Sequence, residues 1–174
     1  MSEPSTLATT RAALQALLSA VPAAGVVHPV ERYASTEQGF KQAYLYTHTD
    51  PAADAFAAEP HIRGWYLRRT ETAETTVNGR ILNEHTWLVR GYLAFKDAIA
   101  SEIIFDELVE RMRDAVRVDG SLGLPGLMGS SPFEERGVQV ANAGPVVFAG
   151  VLCHSATLQC KTRSWVEWST RRKT

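Results

Sequence analysis

Between Ile62 and Phe95 apolar and polar residues alternate in two runs that meet at Asn78-Gly79. Asn-Gly between β-rich runs is a hairpin signal, because a type I′ turn needs φ > 0 at both central residues. With Val77 facing Arg80 across the turn, Trp65 falls opposite Tyr92 and Leu67 opposite Arg90. Alternation then places Ile62, Gly64 and Tyr66 on one side with Trp87, Val89, Leu93 and Phe95. That face is apolar apart from Arg68 and is expected to meet the core. Both arms exceed the usual strand of about five or six residues, so the tip from Glu74 to Arg80 is expected to project beyond the body.

Helical periods flank the hairpin. Leu7, Leu14, Leu17, Leu18 and Val21 share one face of a segment from Thr6 to Val21, with Thr6 or Ser5 as cap and Pro22 and Gly25 as stop. From Asp97 to Val116, Ile99, Ile103, Leu108, Met112 and Val116 form a stripe that Phe105 and Val109 widen. Asp97 is the expected N-cap; acids crowd the first half and Arg111, Arg113 and Arg117 the end, as the helix dipole favours. Glu107 with Arg111 and Glu110 with Arg113 stand on neighbouring turns. This second helix is expected to pack on the apolar face of the hairpin.

The remaining segments are less regular. Gly25 to Tyr33 reads as a connector or edge strand, since Pro29 cannot donate to a ladder. Phe40 to Tyr46 fits either a strand or a helical turn, and Thr49 to Pro60 reads as a loop with one helical turn at most. Val118 to Gly137 is a long glycine-rich loop, and Leu122, Leu124, Leu127, Met128 and Phe133 make it more apolar than a solvated loop. Loops of that length in a compact domain are usually functional or disordered; this one is expected to meet another surface. Val138 to Ala143 and Val146 to Arg163 read as a last strand pair around Gly144-Pro145, and the tail ends Arg171-Arg172-Lys173. The whole chain, residues 1–174, reads as one α+β domain: an antiparallel β-sheet with a long β-hairpin, flanked by two α-helices, with a long Gly-rich loop.

Composition narrows the function classes. At 174 residues, one domain buries about 70% of its unfolded surface. Eighteen basic against nineteen acidic residues leave a net charge of -1, so there is no electrostatic footprint of tight nucleic-acid binding. No apolar run approaches the ~20 residues that span a bilayer, and Met-Ser-Glu-Pro-Ser lacks the pattern of a signal peptide. The expectation is a protein made and kept in the cytoplasm of its host. Cys153 and Cys160 lie in one strand on opposite faces, with Cα atoms roughly 23 Å apart at strand rise. That is too far for a disulfide, and both are expected to be buried free thiols.

Candidate chemistry is sparse. His28, His48, His61, His85 and His154 show no helical pairing and no neighbouring cysteine pair, so no zinc pattern exists. His48-Thr49-Asp50 offers two ligand types but fits an ordinary loop, and His154 lies on an apolar strand face where a hydrogen-bonded packing role is expected. There is no Gly-x-Ser-x-Gly elbow, and the glycine loop lacks the Lys-Ser or Lys-Thr of a phosphate cradle. No acid, base and nucleophile converge, so the chain does not read as an enzyme and needs no cofactor or metal.

The residues that carry a family likeness lie between about 60 and 160. They are the strand start His61-Ile62-Arg63-Gly64-Trp65 and Trp87-x-Val89-Arg90-Gly91-Tyr92. With them go Ser101-Glu102-x-x-Phe105-Asp106-x-Leu108-x-Glu110 on the helix and Gly144-Pro145-Val146-x-Phe148-Ala149-Gly150-Val151-Leu152-Cys153-His154 in the last strand. In this order they resemble the neck and tail-completion proteins of long-tailed bacteriophages, in particular the tail terminator group.

The resemblance implies a structural protein of the virion neck, assembled in the host cytoplasm as a homo-hexameric ring. Such a ring caps the tail tube protein, ends tube polymerisation and offers the docking surface for the head–tail connector proteins, with DNA only passing through the lumen and no membrane involved. The hairpin tip at Asn78 and Gly79 and the loop residues Leu122, Leu124, Leu127, Met128 and Phe133 are the expected contacts. The near-neutral charge leads to the expectation of a mixed or acidic lumen. Two alternatives stand beside this: another neck or head completion protein, and a small dimeric α+β ligand-binding domain or enzyme with its pocket under residues 120–137.

Overall fold

The computed structural model describes residues 6–50, 52, 54–118, 122, 124, 127–128 and 137–165. The chain runs α1 (Leu7–Ser19), β1 (Val26–His28), α2 (Glu37–Ala43), β2 (Leu45–Tyr46), β3 (His61–Val77), β4 (Arg80–Ala94), α3 (Ser101–Val118), β5 (Leu127–Met128), β6 (Gln139–Phe148) and β7 (Val151–Trp165). The α+β class holds. The sheet is mostly antiparallel: β3, β4 and β7 lie side by side, and β5 and β6 both pair with β7. Among the described strands only β1 runs parallel, along Gly64–Tyr66 of β3, while β2 pairs with Ile62 and His61. The segment expected to be strand or helical turn, Phe40 to Tyr46, is both: the end of α2, then β2.

The long hairpin forms, and Asn78 (φ 51°) and Gly79 (φ 74°) take the two left-handed positions of its turn. Val77 pairs with Arg80 as expected. The register changes at Thr70, an extra residue between Arg69 and Glu71, so Trp65 pairs with Gly91 rather than Tyr92, and Leu67 with Val89 rather than Arg90. One bulged residue shifts the pairing and hence which side chains share a face. The face toward α1 and α3 is therefore Trp65 and Leu67 with Trp87, Val89 and Leu93, not the Ile62, Gly64 and Tyr66 set. The charged exception is also different: Arg63 is buried, whereas Arg68 is exposed beside Glu31.

Both faces of the body half are covered. On one, Trp65 stacks on Phe105 of α3 (centroids 6.0 Å), its indole N–H donates to the Ala24 carbonyl (3.0 Å), and Leu14, Leu18, Leu108 and Met112 complete the packing. On the other, Tyr92 stacks on Phe148 (3.9 Å), and Tyr44 meets Phe148 edge-on (4.9 Å) beneath Phe40 and α2. α1 begins where its sequence says: Thr6 Oγ1 accepts from the Thr9 amide and Thr9 Oγ1 from the Thr6 amide, a reciprocal cap.

Two boundaries move. Asp97 opens a 3₁₀ turn rather than capping the helix; Ala100 is left-handed (φ 50°), and α3 starts at Ser101, whose hydroxyl accepts from the Lys96 amide (2.8 Å). Along α3, Glu110 and Arg113 pair (2.6 Å) as expected, but Arg111 reaches the Glu107 carbonyl instead of its carboxylate, and Ile103 is exposed. The last hairpin turns at Ala149-Gly150 (φ 48° and 70°), not at Gly144-Pro145. Pro145 instead lies within β6, which pairs on one side only among the described residues, and an edge strand tolerates the missing donor. Cys153 and Cys160 are buried free thiols, and burial pushes both up to about 12.

Candidate interaction surface

Beyond Leu67 the β3 strand of the hairpin turns to solvent, while Trp87, Thr86 and His85 opposite it on β4 stay buried. Every residue from Arg68 to Arg80 is exposed, yet the arm is more than a two-stranded ribbon, because β7 accompanies β4 as far as Trp165 opposite Leu82. A lone hairpin is marginal in water, and a third strand with a few fixed side chains makes the arm rigid. The Trp87 indole donates to Thr162 Oγ1 (2.9 Å), and the Arg80 guanidinium lies 4.8 Å from the Trp165 ring. Thr72 and His85 share a hydrogen bond of 2.9 Å. Lys161 and Arg163 both hold the Glu84 carboxylate; the Lys161 hydrogen bond is the chief reason its pKa lies below the usual range, with burial opposing.

Two strand edges lie open among the described residues, one on each side of the sheet. β1 covers β3 only at Gly64–Tyr66, so from Leu67 to Val77 the outer edge of β3 has no described partner. On the opposite side, β6 pairs only with β7. Its ten residues, Gln-Val-Ala-Asn-Ala-Gly-Pro-Val-Val-Phe, carry no charge. Val147 (70% exposed) and its cross-strand partner Leu152 (48%) add apolar surface beside that edge.

The expected contact residues fall in different places. Asn78 and Gly79 form the arm tip. Leu127 and Met128 form β5, paired with Ser164 and Arg163, which puts them on the same side of β7 as β6 and level with the arm. Leu122 and Leu124 are half-buried, and Leu122 packs against the core. Phe133 lies outside the described residues, as does most of the segment expected to form a glycine-rich loop. The open β6 edge was not anticipated, because placing the turn at Gly144-Pro145 divides β6 in two. Its signal was the absence of charge between Gln139 and Phe148, next to a long strand.

Glu37, Gln38, Lys41, Ala149, Gly150 and Val151 line a surface pocket that no histidine enters. Ser101 accepts from the Lys96 amide and shares a hydrogen bond with His154 Nε2 (2.9 Å), and His154 stacks on Phe95 (4.6 Å). Burial lowers the His154 pKa. His48 Nδ1 hydrogen-bonds with the backbone of Asp50. Among the described residues no three His, Cys, Asp or Glu side chains gather as metal ligands. No family model matches the chain, and comparison with curated proteins finds no relative.

Proposed function

We propose that this chain is the subunit of a homo-oligomeric, six-fold ring at the neck of a long-tailed phage, acting as a tail terminator. The ring caps the tail tube, stops its growth and presents the surface on which the head connector docks, and DNA passes through its lumen without being held. The observation that carries this reading is the long hairpin arm, whose β3 strand is exposed from Arg68 to Val77 and has no described partner on its outer edge. A ring needs two different patches on each subunit that match between neighbours, and an arm whose β3 strand is exposed along its length is a device for reaching one. The motif resemblance supplies the phage context, and the near-neutral charge suits a channel wall along which DNA slides.

The test is solution mass by light scattering over a concentration series, with negative-stain imaging. Six-fold rings are expected for the whole chain. A variant with residues 74–83 replaced by a two-residue Asn-Gly turn, which keeps Ala73 opposite Glu84, is expected to remain folded and to lose the rings. Monomers or two-fold dimers at every concentration would overturn the proposal.

A further inference from the structure

We propose that neighbouring copies join by strand pairing, the outer edge of β6 in one copy adding to the arm edge of β3 in the next. The inference rests on the ring reading above and names the joint. Unpaired edges are templates for another strand, and proteins that stay single blunt them with charges or cover them. β6 is ten residues long and bears no charge, and only Pro145 subtracts a donor. The matching edge of β3, Leu67–Val77, is of similar length and carries charges of both signs, from Arg68 and Arg69 to Glu71 and Glu74. Laying an uncharged strand against it brings no like charges face to face.

Direction and height also agree. β3 and β7 run toward the arm tip, β4 and β6 away from it. When copies are related by rotation about an axis along the strands, β6 of one therefore meets β3 of the next antiparallel, and the alternation continues unbroken round the ring. Within one copy Gln139 stands level with Arg68, through Gln159 and Leu88. The free part of β3 thus begins where β6 ends. Strands in a closed sheet tilt by about 40°, and over the successive strands of one copy this offsets the next copy by roughly five residues. The joint requires the sense of tilt that slides β6 toward the tip of its neighbour's arm, where the free edge lies; the opposite sense would set it against the stretch that β1 and β2 already cover. A single patch on a two-fold axis could not use both edges, so the same joint predicts closure into a ring rather than a dimer.

Hydrogen exchange on dilute and concentrated protein tests the joint. In the rings, peptides covering 68–77 and 139–146 are expected to exchange roughly tenfold more slowly or better than in the monomer. Ala143→Pro places a second proline two residues from Pro145, on the same outward side; it is expected to fold with an unchanged melting temperature yet form no rings. Rings whose two edges exchange as in the monomer, or rings formed by Ala143→Pro, would overturn the joint and leave the ring reading standing. Absence of rings in the unaltered protein would overturn both. Should Ala143→Pro fail to fold, the exchange measurement alone decides.

Discussion

Trp65 is paired with Gly91 across the hairpin, and its indole lies so close against that glycine that no Cβ fits there. The contact exists only because the bulge at Thr70 moves the register by one residue. Tyr92, which an unbroken ladder would have put opposite Trp65, is thereby turned to the other face, against Phe148.

Gly91→Ala should therefore destabilise the protein by about 1–3 kcal/mol, the usual cost of overpacking a dense core. Urea unfolding measures it. The same substitution in a Trp65→Leu background should cost clearly less, because the ring that meets the new methyl is gone. Equal losses in both backgrounds would show that the glycine is needed for another reason.

Arg63 and Asp54 form a buried ion pair that ties the loop before β3 to the sheet, with the guanidinium 5.3 Å from the rings of both Tyr46 and Phe56. Asp54→Ala leaves the Arg63 charge buried without its partner and should cost about 3–5 kcal/mol. Adding Arg63→Met should recover most of the loss. Burial by itself would raise the Asp54 pKa, but the Arg63 hydrogen bond, the Phe56 amide and the Arg63 charge together hold it below the usual carboxylate value. Its stabilisation is therefore fully present above about pH 4 and fades as acid protonates the folded carboxylate. A melting temperature of Asp54→Ala within a degree of the parent at pH 7 would refute this assignment.

A separate loss should begin at milder acidity. His61, His85 and His154 all have folded pKa values lowered below 6.5, in each case chiefly by burial. The unfolded chain takes up protons on these rings first. Stability is thus complete above about pH 6.5 and declines as pH falls toward the folded values, by at most about 1.4 kcal/mol per pH unit for each histidine. His61 stacks on Phe56 at 3.9 Å with its Nε2 unpartnered, so His61→Phe keeps the stack and should flatten the decline. Thermal melts from pH 7.5 to 5 check this; equal slopes for variant and parent would remove His61 from the effect.

Local rules made much of the architecture legible in advance. The helical stripes of α1 and α3, the Thr6 cap and the Asn78-Gly79 turn each rest on residues within a few positions of one another, where period and turn chemistry act directly. The burial of Cys153 and Cys160 also followed from their strand and their size. The exposed hairpin tip was readable for the same reason.

What tertiary structure alone decided is pairing at a distance. Nothing near Thr70 in the chain marks it as the extra residue; the bulge forms because it brings Trp65 and Trp87 to α1 and α3 while Tyr92 and Phe148 meet on the other face. Pro145 reads locally as a turn, but a strand with a free edge tolerates it, so the reversal falls at Ala149-Gly150 instead. Sequence period determines which residues seek the interior. Which face they enter, and which strand edges stay open for a neighbour, depends on contacts between residues far apart in the chain.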